Sequence, residues 1–181
     1  MQPYPGPFRH QQDQSVERPG LGRQIVALVV FLAASFLVAG LGALATAGNV
    51  DGWYTTADQA PWSPPNIVFG PVWTILYTAM AVAAWLVWRK QAPGGRRALT
   101  AYAIQLALNL AWTPVFFGLY PTIGTAALWL ALVIILALIT AVSVTVLSFG
   151  PISRAAGLLL LPYITWLVFA ATLNLWAAIH N

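Results

Sequence analysis

Five long runs of apolar residues, separated by short polar or turn-forming segments, dominate the sequence. They occupy about residues 24–47, 66–88, 98–117, 122–149 and 154–179. Each run is long enough for a helix to cross the hydrocarbon core of a bilayer, which takes about 20 apolar residues. The runs are continuously apolar and do not alternate with polar residues, so they indicate helices and not the strands of a membrane barrel. The sequence therefore predicts an all-α membrane protein, a bundle of five transmembrane helices.

Residues 1–23, which precede the first run, are polar and contain several prolines and glutamines. Such a segment buries too little apolar surface to fold alone, so we expect a disordered tail followed by one domain over residues 24–181. The first run partly resembles a secretory signal peptide. Its apolar stretch of about 20 residues exceeds the usual length of about 7–15, however, so we interpret it as a membrane span.

Composition and charge agree with a membrane location and predict an orientation. Hydrophobic residues make up 60% of the chain, and charged residues make up only 7%. With five spans, all eight Lys and Arg residues fall on one side, in the tail, at 89–97 and at Arg154, while the loop at 48–65 carries Asp51 and Asp58. Because basic residues concentrate on the cytoplasmic side, we expect a bacterial cell-membrane protein with its N-terminus in the cytoplasm and its C-terminus outside.

The residue inventory excludes several kinds of chemistry. There is no cysteine, which excludes disulfides, thiolate metal sites and cysteine nucleophiles. The four acidic residues and two histidines, His10 and His180, leave little for acid–base catalysis or a metal site, so we expect neither metal nor cofactor. The basic residues are not interleaved with aromatic ones, so we expect no nucleic-acid partner.

Three of the predicted spans carry a face of aromatic and amide side chains at helical spacing. The faces comprise Phe69, Trp73, Tyr77 and Met80 in the second span, Gln105, Asn109, Trp112 and Phe116 in the third, and Tyr163, Trp166, Ala170 and Asn174 in the fifth. Amides are costly in hydrocarbon unless they are satisfied, so we expect these faces to turn inward. They serve either to hold the helices together, which is common, or to line a cavity.

Depth in the membrane favours a cavity. Trp73, Asn109 and Ala170 each lie seven to nine residues from the predicted outer end of their span. At 1.5 Å per residue, all three lie roughly 10–14 Å below the outer surface, under the loop at 48–65. An aromatic cavity with a few amide and hydroxyl groups suits a flat hydrophobic ligand.

The opposite face of the third span carries small residues at a regular interval. Ala103, Ala107 and Ala111 recur every four residues. This spacing permits close approach of two helices. The face therefore predicts either the seam of a homodimer or a close packing contact within one chain.

Three ordered segments carry a resemblance to a known family. They are Trp62–Tyr77 (WSPPNIVFGPVWTILY), Gln105–Gly118 (QLALNLAWTPVFFG) and Leu161–Asn174 (LPYITWLVFAATLN). From about residue 25 to its end, the chain resembles the tryptophan-rich sensory protein family (TspO/MBR), also called the translocator protein or peripheral benzodiazepine receptor family. The resemblance implies a five-helix bundle, often dimeric, with a ligand pocket closed by the first long loop. Family members bind porphyrins, synthetic benzodiazepine and isoquinoline ligands and, in animals, sterols.

The resemblance also implies a set of site residues. The matched pocket positions are Tyr54, Trp73, Tyr77, Asn109, Trp112, Trp166, Ala170 and Asn174, with Pro64 and Pro65 at the mouth. The loop and the inward faces add Trp62, Phe69 and Phe116 as candidate ligand-binding residues. The chain departs from the family where an animal sterol-recognition segment has a tyrosine followed by a basic residue. Leu175 stands at the tyrosine position and no basic residue follows, so we do not expect sterol binding there.

Three functions are open from the sequence. We favour a membrane receptor for porphyrins or similar flat hydrophobic ligands; without a His or Cys at pocket level, it would recognise the macrocycle and not a haem iron. The first alternative is light-dependent porphyrin degradation, reported for some bacterial relatives, in which Trp73 and Trp166 would be the catalytic residues. The second is a transporter, which the odd number of spans and the lack of an intramembrane charge disfavour.

Overall fold

The computed structural model describes residues 19–50 and 52–181. These residues form eight α-helices, in chain order α1 (Leu21–Val50), α2 (Trp53–Thr56), α3 (Phe69–Trp88), α4 (Gly95–Thr113), α5 (Tyr120–Ile123), α6 (Thr125–Phe149), α7 (Arg154–Leu159) and α8 (Leu161–His180). A 3-10 turn at Asn66–Val68 leads into α3, and a π-helical turn at Pro114–Gly118 extends α4. No β-strand occurs within the described ranges.

Five helical stretches in the described part of the chain are long and apolar enough to cross a membrane. They are Leu21–Asn49, Asn66–Trp88, Gly95–Gly118, Thr125–Phe149 and Arg154–His180. Each coincides with one of the apolar runs in the sequence. The predicted fold class, an all-α membrane protein with five transmembrane helices, is therefore confirmed.

The ends of some helices differ from the predicted ends. Residues 1–18 of the predicted tail lie outside the described residues, and α1 begins at Leu21, where the Gln24 side-chain amide donates to the Pro19 carbonyl oxygen at 2.7 Å. Helix α6 begins at Thr125 and not at residue 122. The reason is Gly124, whose φ of 61° interrupts the helix.

Two prolines make the third and fifth spans irregular. Pro162 lies in the first turn of α8 and has no N–H to donate, so the fifth span is divided at Leu160. In the third span, Pro114 begins the π-helical turn, and the Leu119 N–H donates to the Pro114 carbonyl oxygen at 3.2 Å. Such wide turns are frequent at functional sites.

The two ends of the bundle differ in charge. We call residues 52–65 the cap loop and the end that carries it the cap end; there the Asp58 N–H donates to Asn181 Oδ1 at 2.9 Å. The opposite basic end carries the starts of α1, α4 and α7 and the end of α3. Its basic residues are Arg23, Arg89, Lys90, Arg96, Arg97 and Arg154. That this end faces the cytoplasm stays a prediction.

The buried core consists of a larger cluster through the bundle and a smaller one at the cap end, around Phe116 and Leu128. Tyr163, Phe149 and Met80 are its largest fully buried side chains. Helix α6 packs along α4 and α8, and α1 lies against α3 and α4. Helix α3 packs on α7, whereas the contact between α3 and α8 is made by aromatic side chains.

Candidate functional site: an aromatic cavity at the cap end

A cavity of about 380 Å³ lies at the cap end, bounded by α1, α3, the end of α4 and α8. Small-molecule sites usually have volumes of about 300–1,000 Å³, so this cavity has the size of a ligand pocket. Nine of its twenty lining residues are aromatic. The aromatic lining residues are Phe36, Tyr54, Phe69, Trp73, Tyr77, Trp112, Phe116, Phe117 and Trp166.

Most of the site residues expected from the sequence meet at this cavity. Those in its wall are Tyr54, Phe69, Trp73, Tyr77, Trp112, Phe116, Trp166, Ala170 and Asn174. The inward faces of the second, third and fifth spans therefore converge on one space, as the helical spacing predicts. That these residues bind a ligand stays a prediction.

The indoles of Trp73 and Trp166 bridge α3 and α8. Their ring centroids are 6.4 Å apart and the ring planes are nearly perpendicular, at 86°. Phe69 packs edge-on against Trp166 at 5.8 Å, and Trp73 packs against Tyr77 at 5.5 Å. These spacings are typical of favourable aromatic pairs. The wall is thus a connected aromatic cluster that presents both ring faces and ring edges.

Asn109 does not line the cavity, in contrast to the prediction. It is 3% exposed, and its Oδ1 accepts a hydrogen bond from the Tyr77 hydroxyl at 2.6 Å. Its Nδ2 donates to the Tyr163 hydroxyl, also at 2.6 Å. Both polar atoms of the amide therefore bond to neighbouring helices, and these bonds join α3, α4 and α8 behind the cavity wall and position Tyr77.

Asn174 both lines the cavity and joins helices. Its Oδ1 accepts from Trp112 Nε1 at 3.1 Å, and its Nδ2 donates to the Leu128 carbonyl oxygen at 2.9 Å. The bonds connect α8 to α4 and α6. Of the two uses considered for the amides, helix attachment and cavity lining, Asn174 serves both.

The cap loop closes the cavity with aromatic contacts. Trp53 stacks on Tyr120 with ring centroids 3.9 Å apart, and its Nε1 donates to the Phe117 carbonyl oxygen at 2.9 Å. Tyr54 packs edge-on against Phe117 at 5.2 Å and reaches the cavity wall. Burial raises the pKa of the Tyr54 phenol, and the neighbouring Ser63 side chain acts weakly in the opposite direction. Tyr54 is therefore a neutral phenol at physiological pH.

Trp62, Pro64 and Pro65 lie outside the cavity wall, which differs from their predicted place in the site. Trp62 is 47% exposed; its Nε1 donates to Thr172 Oγ1 at 3.2 Å, and its ring packs edge-on against Trp176 at 5.2 Å. It attaches the cap loop to the outside of α8. The two prolines lead into α3, and the Pro65 carbonyl oxygen accepts from the Val68 N–H at 2.9 Å in the 3-10 turn.

Helix α1 supplies lining residues that the sequence analysis missed. Its contribution consists of Phe36, Ala39, Gly42, Ala43 and Thr46. The helix is apolar over most of its length and its few polar residues form no periodic face, so its inner surface was not distinguished. The available signal was the concentration of Gly, Ala and Thr in its second half, because small residues let a helix come close to its neighbours.

The alanine face of α4 points away from the chain's own core. Ala103 and Ala107 are exposed and Ala111 is partly buried. Ala103 and Ala107 therefore do not form a close packing contact within the chain. The homodimer seam stays a prediction.

The fold and the site together define a class of multi-pass helical membrane proteins that hold an aromatic cavity beneath a tryptophan-bearing loop. The family model described as TspO/MBR family matches residues 27–179. The chain belongs to that family.

Similar proteins come from bacteria, archaea and mammals. The Tryptophan-rich sensory protein of Cereibacter sphaeroides is 41% identical over 140 residues, covering 76% of this chain and 84% of the relative. The Translocator protein of Bos taurus is 37% identical over 137 residues, covering 74% and 78%. The Tryptophan-rich protein TspO of Archaeoglobus fulgidus is 35% identical over 150 residues, covering 83% and 94%.

The bonds of Asn109 predict the effect of removing its amide. Asn109→Leu keeps similar volume but leaves the hydroxyls of Tyr77 and Tyr163 without this partner, at a cost of about 1–3 kcal/mol for each stranded group. We expect a lower thermal unfolding midpoint in detergent. The control is the triple variant Asn109→Leu, Tyr77→Phe and Tyr163→Phe, which removes the stranded hydroxyls and recovers part of the loss. If Asn109→Leu alone were as stable as the wild type, the hydrogen bonds of Asn109 to Tyr77 and Tyr163 would not hold the cavity wall together.

Proposed function

We propose that this protein is a membrane receptor that binds porphyrins or similar flat hydrophobic ligands in the cavity at the cap end. The observation that carries the proposal is the aromatic wall, in which the nearly perpendicular indoles of Trp73 and Trp166 line the same space. A flat conjugated ring gains by stacking on one indole and meeting the edge of the other. The family resemblance, which implies porphyrin binding, supports the same ligand class.

The polarity of the cavity favours an apolar ligand with a few acceptor groups. The amide of Asn174 is already bonded within the protein, so it offers little to a strongly polar molecule. Trp166 Nε1 is different: it is buried and has no hydrogen-bond partner among the described residues. An acceptor on the ligand, such as a carbonyl or carboxylate oxygen, would satisfy this N–H if the surrounding wall rearranges on binding to expose it.

The cavity is partly open beside the exposed α3 residues Gly70 and Thr74, and we infer that a ligand as large as a tetrapyrrole also needs the cap loop to move. The cavity volume of about 380 Å³ lies near the lower end of the range for ligand pockets, and a tetrapyrrole is a large ligand. The cap loop is attached by a few side-chain contacts, of which the Trp53–Tyr120 stack and the Trp62–Thr172 hydrogen bond are examples. Loops with few buried contacts open at low free-energy cost. The loop is thus the element that admits a macrocycle.

Titration with protoporphyrin IX, followed by quenching of tryptophan fluorescence, tests the proposal. We expect the double variant Trp73→Phe with Trp166→Phe to bind about tenfold more weakly, which corresponds to about 1.4 kcal/mol. Trp129→Phe is the matched control, since Trp129 lies on α6, is 47% exposed and is absent from the cavity wall. Equal affinity of the double variant and the wild type would contradict the site assignment.

A second candidate function is light-dependent degradation of a bound porphyrin. The adjacency of Trp73 and Trp166 favours it, because two oxidisable indoles would lie against a photosensitising ring. Illumination of the protoporphyrin complex in air should then bleach the porphyrin absorbance, and the double phenylalanine variant, saturated with porphyrin, should bleach more slowly. Bleaching at the same rate with and without both tryptophans would exclude this activity.

A further inference from the structure

A second concave surface lies at the basic end, on the side of the bundle that faces the membrane. It is an open groove of about 630 Å³ between the first half of α1 and the end of α3. Its lining residues are Gly22, Arg23, Val26, Ala27, Val30, Phe31 and Trp88. Val26 is 63% exposed and Val30 is 57% exposed. The groove is therefore apolar along its floor, open to its surroundings and separate from the cavity at the cap end.

Cationic residues occur in the groove wall and directly after the lining residue Trp88. Arg23 lies in its wall, and the adjacent residue Gln24 accepts a hydrogen bond at its carbonyl oxygen from Trp85 Nε1 at 2.9 Å. The guanidinium of Arg89 lies over the same Trp85 ring, 4.7 Å from its centroid. Lys90 follows and is exposed. The bond between Gln24 and Trp85 thus joins the start of α1, which carries Arg23, to the end of α3, which is followed by Arg89 and Lys90.

These cations lack an acidic counterpart at their own end of the described chain. Within residues 19–50 and 52–181, the sole acidic side chain is that of Asp58, in the cap loop at the opposite end. Basic clusters beside membrane helices attract anionic lipid headgroups, by about 1 kcal/mol for each Lys or Arg near the surface. The charge at the head of the groove therefore favours an anionic occupant.

The length of the groove matches one leaflet of a bilayer. From Gly22 to Phe31 the helix rises by roughly 14 Å at 1.5 Å per residue. This is about half of the roughly 30 Å hydrocarbon core. Trp88 lies at the end of α3, the position where tryptophans meet the headgroup region. A single acyl chain lying along α1 would therefore end with its headgroup beside Arg23.

We propose that this groove is a binding site for an anionic phospholipid. One acyl chain lies along Val26 and Val30, and the phosphate lies between Arg23 and the cations of Arg89 and Lys90. A second copy of the chain is a poorer occupant, because docking the same face would bring like charges together. The site is independent of the cavity and of the proposed receptor function.

Lipid retention by the full-length protein tests this site. Native mass spectrometry of the detergent-solubilised protein would be titrated separately with phosphatidylglycerol and with zwitterionic phosphatidylcholine. We expect preferential retention of phosphatidylglycerol, and about a fivefold loss of affinity for it in Arg23→Gln, which corresponds to about 1 kcal/mol. Arg97→Gln is the matched control, because it removes the same charge from an exposed residue at the same end that lies outside the groove. We expect this control to change the affinity by less than about twofold.

A second variant tests the apolar part of the groove without a change in charge. Val26→Phe with Val30→Phe fills the floor at two exposed positions, so the fold should tolerate it and the retention of phosphatidylglycerol should fall. Equal effects of Arg23→Gln and Arg97→Gln, or equal retention of the two lipids by the wild type, would overturn the proposal. A change in oligomeric state on Arg23→Gln with unchanged lipid retention would also overturn it, in favour of a second copy as the occupant.

Discussion

Asn109 and Asn174 lie inside a bundle surrounded by hydrocarbon, where each unpaired polar group costs several kcal/mol. Asn109 meets this constraint through two tyrosine hydroxyls, and Asn174 meets it through Trp112 and a backbone carbonyl. These bonds join α3, α4, α6 and α8, so satisfying two amides also fixes the rotation of the helices that form the cavity wall. Gln105 departs from the rule, since its Oε1 has no partner among the described residues, and the structure offers no physical account of it.

Seven of the nine tryptophans serve different purposes according to their position along the bundle axis. Trp73, Trp112 and Trp166 form part of the cavity wall. Trp53 and Trp62 hold the cap loop through ring contacts and their indole N–H groups. At the basic end, Trp85 and Trp88 border the start of α1. An indole combines a large apolar face with one donor, which explains how the same residue type fits an internal wall, a loop anchor and a membrane interface.

Helical spacing was sufficient to predict which faces of the second, third and fifth spans turn inward, because Trp73, Trp112 and Trp166 recur there with amides. It was not sufficient for α1, whose polar residues form no periodic face and whose Phe36 and small residues complete the wall. The places of Trp62 and Asn109 also could not be predicted. Each depends on partners in distant parts of the chain, which the spacing within one helix does not reveal.

The central claim is that the cavity at the cap end receives a flat conjugated ligand against the indoles of Trp73 and Trp166. The most direct test is to follow the indole N–H resonances of the ¹⁵N-labelled protein by NMR during titration with protoporphyrin IX. Ring currents from a bound macrocycle should shift the resonances of Trp73, Trp112 and Trp166, while that of Trp129 on the outside of α6 stays unchanged. Unchanged Trp73 and Trp166 resonances at saturation, or an equal shift of Trp129, would contradict the account.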